Sequence, residues 1–296
     1  MNPSNIPNRR EFIASVAGTT CLIAGRALGG QGRTGFNVEG EQVRGMAVSP
    51  GGQIAIAADR QVDLYDLTGR RLDRRAVEGV VRAVAFGPRG RLYAALKETV
   101  ASSDGCCFEV LPARLGRAAV LTGLAVDDAG CVYAADSGNK VVWKLSAEGE
   151  MLGRISPGKQ PFAVSKSFFP IAWSAGRLLV GEAGRHRVLA FGADGDLLGE
   201  WGKPSRSMEG FGGCCNPVGL AATNNGFVTA ERGLVRVKRF DVARGGVSLL
   251  AGPDDFTSTA ANASRGCENG GVDVGLLPDG KVLVLERNAR RINVFA

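Results

Sequence analysis

The sequence predicts an all-β fold, a six-bladed propeller. Three observations carry that reading. One phrase recurs six times: a small and apolar run, a turn with Asp, Asn or Gly, a second apolar run, then usually an acid. The copies begin near Gly45, Ala83, Gly123, Ile171, Gly219 and Val272. Their period of roughly 40–50 residues is that of propeller blades. Second, 43 of the 296 residues are Gly, roughly twice the usual share of about 7%. Gly supplies the left-handed positions of tight hairpins, so many short strands are expected. Third, no helical periodicity appears beyond the extreme N-terminus. A hydrophobic content of 45% is ample for a core.

Each copy reads as four strands. In the third these are Thr122–Val126, Cys131–Ala135, Val141–Leu145 and Met151–Ile155. In the fourth they are Ile171–Ser174, Leu178–Val180, Arg187–Phe191 and Leu197–Trp201, with Asp-Gly turn chemistry at Asp194 and Gly195. The sixth copy ends at Ala296, with no residues left for a fourth strand. An open ring would leave a bare strand edge. The segment 34–39 has no blade of its own, so it is expected to pair with Ile292–Phe295 and close the ring.

The run from Glu182 through His186 to Phe191 resembles the core of an NHL repeat, as does the run from Asp136 through Lys140 to Val142. The shared pattern is an acid, a short Gly or Asn turn, a basic or His residue, then an aliphatic strand. The resemblance covers Gly45 to the C-terminus. It is good in copies three and four and poor in copy two, where Lys97 replaces the acid. It implies six blades, in agreement with the repeat count.

The N-terminus reads as an address. Arg9 and Arg10 are followed by Phe12 and Ile13, then an uncharged stretch from Ala14 to Gly25. That is too short to span a bilayer. It resembles a twin-arginine (Tat) export signal. The expected division is a signal over 1–30 and one propeller domain over 31–296. Cys21 is not read as a lipoprotein anchor, because Thr20 stands where a small residue belongs. The expected location is the periplasm or the cell surface, with no transmembrane anchor after cleavage. The formal charge of +7 falls to +5 without Arg9, Arg10, Glu11 and Arg26. The remaining charges alternate in sign without a basic run, so nucleic acid is not an expected partner.

Asp59, Asp136, Glu182, Glu231 and Glu286 occupy equivalent places on different blades. Set apart by the ring, they cannot converge on one cation. Each is followed within five residues by Arg or Lys, so local charge-assisted hydrogen bonds within the hairpin are expected. His186 is the only histidine and sits at a framework turn. A single histidine disfavours propeller lyases and lactonases that hold a metal through several imidazoles.

The three longest connections are Ser156 to Pro170, Lys203 to Pro217 and Pro253 to Gly271. Blade topology places all three on one face, the usual setting for binding. The candidate ligand-binding residues they carry are Lys159, Lys166, Lys203, Arg206, Phe211, Asn216 and Arg265. Cys214 and Cys215 lie in the second loop and Cys267 in the third, as a candidate disulfide or metal set. Cys106 and Cys107 are expected to open the third strand of blade two on that same face. Cys131 is expected as a buried structural thiol on the opposite side.

The leading functional reading is a monomeric, exported binding or scaffold module for a protein, peptide or glycan. The alternative is an accessory metal- or redox-binding protein using Cys214, Cys215 and Cys267, without an identified cofactor. A propeller lyase or lactonase ranks third, because no acid–base pair stands out.

Overall fold

A computed structural model of the protein describes residues 34–256 and 271–296. The segment 1–30, expected from its sequence as an export signal, and Arg265 and Cys267 lie outside the described residues. Strand β1 (Gly35–Asn37) comes first. Blade one is β2 (Val43–Val48), β3 (Ile54–Ala58), β4 (Gln61–Tyr65) and β5 (Arg71–Ala76). Blade two is β6 (Ala83–Phe86), β7 (Leu92–Ala95), β8 (Val100–Ser103) and β9 (Glu109–Val110). Blade three is β10 (Leu121–Val126), β11 (Val132–Asp136), β12 (Val141–Leu145) and β13 (Met151–Ile155). Blade four is β14 (Ile171–Ser174), β15 (Arg177–Glu182), β16 (Arg187–Phe191) and β17 (Leu197–Trp201). Blade five is β18 (Gly219–Thr223), β19 (Gly226–Glu231), β20 (Arg236–Asp241) and β21 (Gly246–Ala251). Blade six is β22 (Val272–Leu276), β23 (Val282–Glu286) and β24 (Arg291–Phe295), completed by β1.

The ring therefore closes as expected. Gly35, Phe36 and Asn37 pair antiparallel with Asn293, Ile292 and Arg291. The backbone extends the match by one bond at each end, Val294 N–H to the Thr34 carbonyl and Val38 N–H to the Arg290 carbonyl. Closure needs Gly at position 35, where a Cβ would stand 2.5 Å from the Ile292 carbonyl oxygen.

Apolar residues occupy the two faces of the second strands, so β3, β11, β15, β19 and β23 are wholly or almost wholly buried. The core is not a single mass. Six apolar clusters each fill the seam between two adjacent blades. The seam between blades six and one holds Val38 and Phe36 beside Ile54, Leu285 and Ile292. The outermost strands are largely exposed, and that of blade one is also highly charged, with Arg71, Asp73, Arg74 and Arg75 on β5. Charged edges resist pairing with a second molecule.

Innermost strands run side by side around a central channel. The connections between blades and the turns between second and third strands lie at one end. The two other sets of hairpins lie at the opposite end. This places Cys106 and Cys107 differently from the sequence expectation. They follow β8 rather than open it, so they sit in the outer hairpin of blade two, on the face opposite the long loops. Copy two is the most divergent, and its Val100–Ser103 run outcompetes the more polar Cys-Cys segment as the strand.

Seam packing should dominate stability. Ile292→Ala, fully buried at the closing seam, is expected to cost about 2–5 kcal/mol. Leu249→Ala, 51% exposed on β21, should stay within about 0.5 kcal/mol. Equilibrium urea unfolding of both variants measures the difference.

Candidate functional site

The strand-two acids build the long-loop face. Each accepts hydrogen bonds from the chain arriving at its own blade. Asp59 accepts from Glu41 N–H and Gln42 N–H at 2.8 and 3.0 Å. Asp136 accepts from Val120 N–H at 2.9 Å, Glu182 from Ala163 N–H at 2.9 Å, and Glu231 from Gly212 N–H at 3.1 Å. The remaining oxygens take hairpin donors. Arg185 and Arg187 serve Glu182, and Arg236 serves Glu231. The expected pairing of Asp136 with Lys140 is replaced. Asp136 instead accepts from Gly138 N–H, Asn139 N–H and Nδ2, and Trp143 Nε1. Asp136 and Glu182 are fully buried, so these charge-assisted bonds act at low dielectric.

The second long loop is held from beneath. Lys238, fully buried, gives its ammonium to Glu231 at 2.9 Å and to the carbonyls of Met208 and Gly210 at 3.0 and 2.5 Å. Arg236 Nη1 donates to the Arg206 carbonyl at 2.8 Å. Phe211 packs fully buried against Phe240, under the Lys238 ammonium 4.4 Å from its ring centre. Asn216 is buried too. Its amide donates to the Gly212 and Arg232 carbonyls and accepts from Arg232 N–H at 2.8 Å. Phe211 and Asn216 are thus turned inward, away from the ligand face where the sequence reading set them. A loop this long covers itself, and its only large apolar ring is the natural anchor. Lys159, Lys166, Lys203 and Arg206 do lie exposed at the surface.

The sequence reading missed the channel mouth framed by this face. Arg44, Arg82 and Thr122 immediately precede the first residues of copies one, two and three, and all three line it. Lys166 and Phe168 from the first long loop and Arg287 from the blade-six turn complete a cavity of about 650 Å³. Below it the channel narrows to a void of about 70 Å³, where Arg44, Arg82 and Arg287 recur and Asp273 joins them. Burial and the neighbouring Arg82 charge hold the Arg44 pKa below its ordinary value. Burial does the same to Arg287, against the pull of Asp273. The Arg287 guanidinium stands 3.7 Å from the Asp273 carboxylate and 5.1 Å from the centre of the Phe168 ring.

The opposite mouth is wider, about 980 Å³, and is lined by first-hairpin turns of all six blades. Its polar groups serve one another. Asp127 accepts from Ala129 N–H, Cys131 N–H and Tyr133 OH. Trp173 stacks on Tyr133 at 5.3 Å and donates to Asp128, and Arg239 donates to the Gly280 carbonyl. The larger hollow is mostly lined by turns bonded to one another, with Arg239 Nε left over, while the smaller one concentrates charge.

No disulfide joins any two of the described cysteines. Cys267 lies outside the described residues, so its pairing with Cys214 or Cys215 is not described. Cys106 and Cys107 are exposed with sulfurs 3.3 Å apart. Cys131 is half-buried against the seam of blades three and four, and burial raises its thiol pKa. Among the described residues no group of three or more His, Cys, Asp or Glu is placed to hold a metal. His186 adopts φ +56°, matching Lys140 at +57° and Arg290 at +52°, each four residues after its blade's acid. His186 is therefore a turn residue of the repeat.

No family model matches the sequence, and no curated protein does. Solved structures share the fold. A streptogramin B lyase aligns with a TM-score of 0.62 at 14% identity, over 89% of this chain and 97% of that one. A catalytically inactive histidine-to-alanine virginiamycin B lyase from Staphylococcus aureus, with quinupristin, aligns at 0.61 and 13% identity, over 89% and 98%. A Bacteroides thetaiotaomicron protein of unknown function aligns at 0.62 and 14% identity, over 90% and 72%. At these identities the likeness shows a six-bladed propeller and nothing about chemistry.

Glu231→Ala tests the pin beneath the second loop. It strands the Lys238 ammonium in the interior, at an expected cost of about 3–5 kcal/mol near neutral pH. Burial already holds Lys238 below its ordinary 10.5. A base with a lowered folded-state pKa gives up its proton on folding, so stability rises with pH up to about 10.5. The cost of Glu231→Ala should therefore shrink as pH is raised toward that value. Urea unfolding across that pH range would show a pH-independent cost if the ammonium were not the stranded group.

Proposed function

We propose that this chain is an NHL-like propeller, exported by a Tat-type signal, that acts as a binding module rather than as an enzyme. Its partner, a protein, peptide or glycan, docks on the long-loop face. One observation carries the reading: the first two long loops are locked to the blades by buried acids and cations, yet present Lys159, Lys166, Lys203 and Arg206 outward. A rigid, fully bonded loop that displays charge is preorganised for binding. The cationic rim favours an acidic partner. No described helix is long and apolar enough to cross a membrane. In this reading the exported chain acts as a monomer.

The lyase reading draws on the names of structural neighbours alone. The one histidine here is spent on a turn, with left-handed φ and a buried Nδ1 that has no hydrogen-bond partner among the described residues. His186→Asn, which suits that φ, should leave both folding and partner binding intact. Loss of binding with an unchanged Tm would instead give His186 a working role.

Two experiments address the proposal. In the native host, Arg9→Lys with Arg10→Lys should hold the protein in the cytoplasm by cell fractionation. Unchanged export would remove the Tat assignment. Cross-linking in the cell envelope should recover a partner with the wild type. Lys203→Glu with Arg206→Glu should weaken that interaction about tenfold or more, with stability unchanged within about 0.5 kcal/mol. A partner equally well recovered by the charge-reversed protein would move the binding surface elsewhere.

A further inference from the structure

We infer that the channel mouth beneath the long-loop face is an anion site, built to take the carboxylate or phosphate head of a small molecule. This inference rests on reading that face as the binding face, but it concerns the channel rather than the rim.

The first support is unpaired polarity. Arg82 Nε, Arg287 Nε and Thr122 Oγ are buried without a hydrogen-bond partner among the described residues. All three belong to residues lining the same mouth. Buried polar groups normally find partners, so three orphans around one hollow mark a missing one.

The second support is charge. Arg44, Arg82, Lys166 and Arg287 line the mouth against two carboxylates, Glu41 and Asp273. Glu41 sits exposed at the rim. Asp273 offsets Arg287, whose guanidinium stands 3.7 Å away, and its oxygens also accept from Met46 N–H at 3.1 Å and Val274 N–H at 3.0 Å, so Arg44, Arg82 and Lys166 carry the excess charge. Arg44 is tied back to Gln42 through its carbonyl and side-chain oxygen. Among the described residues no carboxylate pairs with Arg82, and its Nε has no partner. Like charges held together in a half-buried channel cost stability in the empty protein, and an oxyanion would reverse that cost.

The third support is shape and donor type. Guanidinium forks match the geometry of carboxylate and phosphate oxygens. The void of about 70 Å³ suits a head group, and the cavity of about 650 Å³ above it leaves room for a body. Phe168 offers an apolar wall, with the Arg287 and Arg232 guanidinium carbons 5.1 and 5.8 Å from its ring centre.

The full-length protein can be titrated with inorganic phosphate and with succinate by calorimetry and thermal denaturation, against sodium chloride at equal ionic strength. Saturable binding and a raised Tm are expected with at least one of the two. A response to phosphate alone selects a phosphate head, and to succinate alone a carboxylate. Arg82→Gln should weaken that binding at least tenfold. In chloride the same variant should be as stable as the wild type or more so, because it removes a repulsive charge. Arg154→Gln on the exposed outer strand should bind as the wild type does. The inference is overturned if neither anion exceeds the chloride control, if Arg82→Gln binds unchanged, or if Arg82→Gln unfolds more easily in chloride. No macromolecular partner enters the titration, so its failure leaves the rim proposal standing, and failure of the rim proposal leaves the titration interpretable.

Discussion

The structure depends on the carboxylate at the end of each second strand. A propeller must bring its chain across the ring's face to the centre six times, and each crossing exposes backbone N–H groups. Asp59, Asp136, Glu182 and Glu231 take those groups one blade at a time. The same carboxylate also closes its own hairpin, through Asn139 and Trp143 for Asp136 or Arg187 for Glu182. One buried charge thus fixes blade and connection together, and a connection can lengthen without loosening at its point of entry. Blade two shows what happens without it. Lys97 points its ammonium forward to the Arg117 carbonyl, and its own carbonyl accepts Leu121 N–H at the entrance to blade three. The chain entering blade two is short enough for backbone bonds alone: Val77 N–H meets the Arg60 carbonyl and Val81 N–H meets that of Asp59.

This constraint explains which parts were legible in the sequence. Blade count, strand order and the closing strand follow from local patterns that recur, so Gly123 to Asp136 could be read by eye. Strand limits moved by a residue where the acid itself joins the ladder, as Asp136 does opposite Val141. The loops were less legible because their residues answer to distant partners. Phe211 and Asn216 read as displayed loop residues, but Lys238 and Arg232 draw them in from the next hairpin. Lys238, a lysine on the third strand of blade five, is fully buried. The channel arginines were hidden for another reason. Arg44 and Arg82 look like scattered surface charge until the repeats are aligned on their first residues, when both fall one place before the phrase. Only the closed ring turns that shared offset into a shared hollow.

The two mouths show how such a scaffold separates rigidity from function. At the wide end, each blade contributes a short turn whose donors and acceptors are matched within the turn or to a neighbour, as with Asp127 and Trp173. Among the described residues, fewer unpartnered groups line that end than the other, Arg239 Nε being one. At the narrow end, the acids that pin the loops are bonded to the incoming chain and to hairpin cations, while Arg44, Arg82 and Lys166 line the mouth. A fold shared with lyases at 14% identity or less need not share their chemistry. The ring supplies positions at a fixed radius, and chemistry depends on what occupies them. Here the inward positions before the first strands of blades one and two hold guanidinium groups. They can grip an anion but cannot move a proton at neutral pH, because arginine stays charged throughout that range.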